Sequence, residues 1–236
     1  MPRPPARTKH ENRPPGKPRA RPRRVGGKRV LLFVATKNPG KARELEELLE
    51  GRPVKVIGPS LMKGLQAPVE DGATFEANAV KKALHYSRLV EHIVLADDSG
   101  LEVEALDGKP GVRSARLGGP AATDADRVRL VLHMLEDVPW EQRTARFRCA
   151  IALARRGNLL EAFSGSVEGL IKFEPEGASG FGYDPVFFYP PEGKTFAEMT
   201  PEEKHRVSHR GQALARAVGW IESWTRGEIG PDKVAK

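Results

Sequence analysis

Cysteine is all but missing from this 236-residue chain, which contains Cys149 alone. A single thiol excludes an intramolecular disulfide and leaves no basis for a cysteine zinc cluster. Cys149 alternates with Phe147, Ile151 and Leu153 on one face of an expected strand, which makes it a packing residue rather than a nucleophile. No run is long and apolar enough to span a bilayer. Internal repeats and coiled-coil heptads are missing as well. Positive charge is scarce outside one segment: of 39 Lys and Arg and 31 Asp and Glu, eleven and one fall in positions 1–29. That leaves 28 basic and 30 acidic residues, a net of −2, for positions 30–236. The formal charge of +8 therefore belongs to a tail, and the rest of the chain has no nucleic-acid-binding charge signature.

That tail, residues 1–28, is rich in Pro and Arg and nearly devoid of apolar side chains, so it cannot bury enough surface to offset its ordering entropy and reads as disordered. Residues 227–236 read as a flexible C-terminus. The tail lacks both the apolar core of a secretory signal and the amphipathic pattern of a transit peptide. It is either a solvated extension or a weak, salt-sensitive contact for RNA or an acidic partner. With its single thiol, the chain suits a reducing cytoplasm.

Residues 29–226 are long enough for one large α/β domain. Val30 to Ala35 reads as a fully apolar strand, followed by a loop at 36–41 and a helix carrying Ala42, Leu45, Leu48 and Leu49 on one face. A short strand near Val54 to Ile57 leads to a helix from about Thr74, with Phe75, Ala79, Ala83, Tyr86 and Val90 as its buried stripe. Ile93 to Ala96 is an apolar strand that places Asp97 and Asp98 at its end, and 102–122 reads as an extended, loop-rich segment. Thr123 and Asp126 start a helix. Segments 145–154 and 159–170 form a hairpin, Pro185 to Tyr189 is a further strand, and a last helix begins at Ser208. Parallel-type runs combined with a long hairpin predict a mixed sheet flanked by helices.

Four places carry chemistry. Thr36-Lys37-Asn38-Pro39-Gly40-Lys41 joins a strand to a helix N-terminus, where free N–H groups and the dipole attract phosphate; the same residues also make an ordinary helix-starting turn. The spacing of a Walker A loop is not there. Glu70 to Asn78 adds carboxylates, and Asn78 and Lys82, four apart, share a helical face toward a common cleft. Asp97-Asp98-Ser99-Gly100 delivers acidic side chains to the rim of a sheet, where hard cations and water are managed, although Asp, Ser and Gly are also turn residues. Phe181-Gly182-Tyr183-Asp184 offers an aromatic beside glycines, suited to stacking on a base. Lys204, His209 and Arg210 add cations. Two of these sit in a first helical turn, where the dipole disfavours positive charge, and an arginine, which only donates, favours a 6-keto purine edge over a 6-amino one.

Read in order, TKNPGK, EDGATFEANAVKKA, LADDSGLEVEALDGKPGVRSAR, GFGYDPVF and EEKHRVSHRGQAL resemble the inosine/xanthosine triphosphate pyrophosphatase family over about residues 30–222. The resemblance implies an elongated mixed-sheet α/β fold of two lobes with a substrate cleft, a homodimer, and Mg2+-dependent hydrolysis of ITP, dITP and XTP to monophosphate and pyrophosphate. It implies that Asp98 is the catalytic acceptor and a metal ligand, with Glu70 as the second metal carboxylate. Thr36 to Lys41 would bind phosphates, Ser99 would lie beside Asp98 on the substrate, and Phe181 to Asp184 with Lys204, His209 and Arg210 would form the base pocket. The competing classes are a non-catalytic nucleotide or RNA binder and a phosphatase that releases orthophosphate.

Overall fold

The computed structural model describes residues 29–58 and 64–229. The tail expected to be disordered, and residues 230–236 of the C-terminus, lie outside the described residues. One seven-stranded mixed sheet organises the chain, in the order β2-β1-β3-β4-β5-β6-β7. Strand β1 (Val30–Val34) is flanked in parallel by β2 (Val54–Ile57) and β3 (Ile93–Val103). From β3 onward, β4 (Thr144–Arg155), β5 (Asn158–Ile171), β6 (Phe187–Tyr189) and β7 (Lys194–Thr195) each run antiparallel to the strand before them. Helices α1 (Pro39–Leu49), α2 (Phe75–Ser87), α3 (Asp124–Met134), α4 (Pro201–Val207) and α5 (His209–Thr225) cover it. No helix among the described residues is long and apolar enough to cross a membrane.

The β4–β5 hairpin turns through Arg156 and Gly157, both at positive φ (52° and 80°), the mirror-image turn that matches strand twist. The 14 residues of β5 span about 46 Å at the rise of an antiparallel strand, so β3, β4 and β5 form a spine long enough to carry two separate cores on one face. Leu95, Ile151 and Leu153 pack there against Leu45, Leu214 and Val218 at one end. Leu101, Val103, Phe147, Val167 and Ile171 pack against Val128, Val131 and Phe187 at the other. On the opposite face, Val94, Ala96, Ala150 and Ala152 receive Phe75, Ala79 and Ala83 of α2. These small alanines let the helix approach closely. Two lobes on a shared sheet leave a cleft between them.

Arg143, almost fully buried, ties the far lobe together by donating to the carbonyls of Leu135, Val138, Ile171 and Lys172. The helix starts expected at Thr74, Thr123 and Ser208 are capped by those side chains, Thr123 forming a full capping box with Asp126.

Three expectations are corrected. Asp97 and Asp98 are not at a strand end, because β3 continues to Val103, paired with β4 throughout. They lie just past the end of β1, whose pairing stops at Leu95. The segment 102–122 is less irregular than expected: β3 occupies its first two residues, and 3-10 turns fill Glu104–Leu106 and Gly111–Arg116. Residues 201–207 form a helix ahead of the one expected at Ser208, and Pro185 and Val186 precede the short paired segment of β6.

Candidate active site between the lobes

Strand β1 leads through α1 to β2 on one side, and β2 leads back through α2 to β3 on the other side of β1, so the order of the strands reverses there. The gap beyond the carboxyl end of β1 is therefore a topological switch point, where open α/β sheets receive ligands. Between Leu95 and Glu102, which is bridged to Pro110, this edge of β3 has no strand partner among the described residues. Asp97, Asp98 and Ser99 occupy that uncovered edge.

Alternation along β3 sends the two carboxylates to opposite faces. Asp97 shares the face of Leu95 and lies fully buried behind the interlobe cleft, against the cleft-lining Lys41 and Arg210. Lys41 Nζ lies 3.3 Å from its Oδ1, and Arg210 Nη2 lies 3.3 Å from its Oδ2. Burial alone would raise its pKa, but Lys41, Arg210 and Lys82 outweigh burial and hold the carboxyl far below the usual range. Asp98 shares the face of Ala96, under α2. There Asn78 Nδ2 donates to its Oδ2 at 3.1 Å and Lys82 Nζ to its Oδ1 at 3.2 Å. Its pKa is raised by burial, which Lys82 and Lys41 only partly offset. Lys82 also reaches Glu70 Oε2 at 3.2 Å, so one ammonium bridges both expected metal carboxylates. Asn78 is fully buried, and its Oδ1 accepts from Gly72 N at 2.8 Å, tying the Glu70 loop to Asp98.

The expected phosphate loop starts α1. Asn38 Oδ1 caps the helix at Lys41 N (3.1 Å) and Thr36 Oγ1 accepts from Asn38 N (3.2 Å), which leaves the Asn38 amide N–H groups free to donate. Pro39 fills the first turn, where no N–H is needed. Of this loop only Asn38 and Lys41 line the cleft, and Lys37 and Pro39 are exposed. Gly40 is required by contact, since a Cβ there would stand 2.5 Å from Phe181 Cγ. The Phe181 ring thus closes over the phosphate loop from the other lobe.

The cleft encloses about 150 Å³ and is lined by Lys41, Ser99, Phe181, Tyr183, His209 and Arg210 among others. Arg210 donates to Glu44, to Asp97 and, at 2.8 Å, to Ser99 Oγ. Lys204 Nζ lies 2.5 Å from both Glu44 Oε1 and Asp184 Oδ2, and 5.1 Å from the centre of the Phe181 ring. Burial would lower the Lys204 pKa, but Asp184 and Glu44 raise it overall; Glu44 is held low against burial by Arg210 and Lys204. His209 stacks on Phe147 with centroids 4.8 Å apart. Burial, with Arg210 and Lys204 nearby, drops its pKa well below 6.5, so the ring is neutral, and its Nδ1 has no partner. Tyr183 commits its hydroxyl to Ser114 O at 2.9 Å, and Gly182 has φ of 63°.

Sequence reasoning missed Glu44. It is one of several acids on α1 with nothing local to set it apart, and its partners lie 160 and 166 residues away. It also missed Asp124 and Arg127, which line the cleft from the start of α3. Cys149 is buried as expected, its thiol pushed up to about 12 by burial and by Asp97.

The Ham1 family model matches residues 32–220. A dITP/XTP pyrophosphatase of Geobacter sulfurreducens is 48% identical over 192 residues, covering 80% of this chain and 96% of that one. One from Bacillus subtilis is 43% identical, covering 81% and 96%. Among solved structures, a HAM1 protein from Coxiella burnetii superposes with a TM-score of 0.74 at 39% identity, covering 82% of this chain and 99% of the other. A nucleoside-triphosphatase, dITP/XTP pyrophosphatase, from Mycobacterium abscessus gives 0.64 at 40% identity, covering 81% and 100%.

Proposed function

The chain belongs to the Ham1 family, and we propose that its interlobe cleft binds the base of a non-canonical purine nucleoside triphosphate while the carboxylates at the open edge of β3 direct hydrolysis. The enzyme is a nucleoside triphosphate pyrophosphatase. It converts ITP, dITP and XTP to monophosphate and pyrophosphate by water attack at the bond between the α and β phosphates, and so keeps these nucleotides out of nucleic acid. One observation carries the assignment of roles: the uncovered edge of β3 at residues 96–99 joins a base-sized cleft on one face to the Asp98, Glu70 and Lys82 cluster on the other.

On this reading the base stacks on Phe181, and Lys204, His209 and Arg210 present donors to a 6-keto oxygen. The unpartnered Nδ1 of neutral His209 fits that role, because either ring nitrogen of a neutral imidazole can carry the proton. Asn38 and Lys41 receive phosphate oxygens, helped by the start of α1.

Asp98 and Glu70 would hold Mg2+. The donor set fits: Mg2+ is commonly held by one or two carboxylates, with waters and substrate phosphates completing its shell, and no group of three His, Cys, Asp or Glu suited to metal occurs among the described residues. When bound, the ion neutralises charge on the phosphates and lowers the pKa of water. Asp98, made more basic by burial, orients the attacking water and accepts its proton. Asn78 keeps the Asp98 carboxylate in place, and Lys82 and Lys41 stabilise charge growing on the pyrophosphate leaving group. Asp97, on the other face and already paired twice, builds the cleft rather than acting on the water. The resemblance supports a homodimer, and a single thiol suits a reducing, cytoplasmic setting. Product analysis with ITP, XTP, ATP and GTP, with and without Mg2+, tests the reading: pyrophosphate from ITP and XTP supports it, and orthophosphate alone overturns it.

A further inference from the structure

The loop that carries the Phe181 ring is fastened at four points, and one of them comes from an unexpected quarter. Asp184 Oδ2 accepts from Phe181 N at 2.9 Å and from Lys204 Nζ at 2.5 Å, and the Tyr183 hydroxyl donates to Ser114 O. The fourth fastening is Asp124, the first residue of α3, whose Oδ2 accepts from Gly182 N at 2.9 Å across 58 residues of chain. Its other oxygen accepts from Arg127 Nη1 at 2.9 Å, one helical turn on. The buried Nε of Arg127 has no acceptor among the described residues, and Asp124 is the carboxylate with which its guanidinium pairs. Both residues line the cleft. Gly182, at φ 63°, supplies the left-handed step that brings its N–H to Asp124 while Phe181 lies against Gly40.

We propose that Asp124 is a positioning residue for base recognition. Its carboxylate clamps Gly182 N–H so that the Phe181 ring keeps its place over the cleft, and Arg127 holds the carboxylate to that task. Asp124 touches none of the groups assigned to the phosphates, neither Lys41 nor Lys82 nor Asp98, so its influence reaches the site through the Phe181 loop. A purely structural role, an acid favouring the first turn of α3, would move stability and not ligand preference. The inference rests on the base-pocket reading given above.

The experiment compares wild type, Asp124→Ala, Asp124→Asn and Arg127→Ala in ITP turnover, IMP affinity by calorimetry, pyrophosphate inhibition and thermal melting. For Asp124→Ala, loss of one charge-assisted hydrogen bond at a half-exposed carboxylate raises KM for ITP and Kd for IMP about tenfold. The same substitution leaves kcat within about twofold and the pyrophosphate inhibition constant unchanged, as expected for an effect on binding alone. Asp124→Asn keeps an acceptor and recovers most of the loss; Arg127→Ala frees the carboxylate and falls between. Unchanged IMP affinity in Asp124→Ala, or equal weakening of IMP and pyrophosphate, overturns the inference. If Asp124→Ala does not fold, unchanged IMP affinity in Arg127→Ala overturns it instead. A wild-type enzyme that does not hydrolyse ITP overturns the function itself, which is a different result from an active enzyme indifferent to Asp124.

Discussion

Replacing Asp97 by asparagine removes the carboxylate that stands between Lys41 and Arg210 while preserving the size of the side chain. Taking one partner from a buried ion pair costs about 3 to 5 kcal/mol, because the remaining charge is left uncompensated. Here the low end applies: asparagine keeps an acceptor, and Arg210 retains Glu44. At about 2 to 4 °C per kcal/mol for a domain of this size, a loss of about 3 kcal/mol lowers Tm by about 6 to 12 °C. The pH dependence follows from the direction of the shift. The Asp97 carboxyl is held below its unfolded value of 3.8, so its stabilisation is fully present above that value and is lost as pH falls through the lower native one. The gap between wild type and Asp97→Asn is therefore constant through neutral pH and closes only in strong acid. Asp98 is the opposite case: burial raises its pKa, so Asp98→Asn relieves a desolvation penalty and leaves Tm unchanged or slightly higher while turnover collapses. Urea and thermal melts, with ITP turnover measured well below both transitions, decide the matter. An Asp97→Asn protein that melts like wild type, or an Asp98→Asn protein that loses stability and keeps turnover, refutes the division of labour between the two faces of β3.

Two further outcomes follow from the same contacts. His209 is buried and neutral in the native state, whereas the unfolded chain takes up a proton below 6.5; stability therefore falls as pH drops through that value, by at most about 1.4 kcal/mol per pH unit for one group. His209→Gln flattens that slope between pH 7 and 5, and an unchanged slope refutes the assignment. Deletion of residues 1–27 leaves ITP turnover nearly unchanged, because every side chain assigned to the site lies between Thr36 and Arg210; a large loss in kcat/KM contradicts this.

The parts of the fold governed by local rules were legible in the sequence. The hairpin at Arg155 to Asn158, the caps at Thr74, Thr123 and Ser208, and the shared face of Asn78 and Lys82 all depend on spacing within a few residues. The ordered blocks that define the family located the cleft residues. What could not be read was pairing at a distance. The apolar run of β3 stops at Ala96, so its continuation through two aspartates looked like a turn, when pairing with β4 carries the strand onward. Nothing local marks Glu44 as the shared partner of Lys204 and Arg210, or Asp124 as the anchor of Gly182. Arg210, a first-turn cation ill matched to a helix dipole, was the one local hint of such partners, and it meets Glu44 and Asp97, whereas its neighbour His209 is neutral and stacks on Phe147. Asp97 and Asp98, adjacent in sequence, separate only once a strand puts them on opposite faces.

The central claim is that the edge of β3 cleaves the bond between α and β phosphates, with Asp98 as the acceptor. The most direct measurement is quantification of pyrophosphate and orthophosphate released from ITP with Mg2+ by wild type and by folded Asp98→Asn. The account predicts IMP and pyrophosphate in equal amounts from wild type and a loss of at least about a hundredfold in Asp98→Asn, the lower bound for removing a positioned general base. Orthophosphate as the only phosphate product, or a folded Asp98→Asn enzyme that retains wild-type turnover, would contradict it.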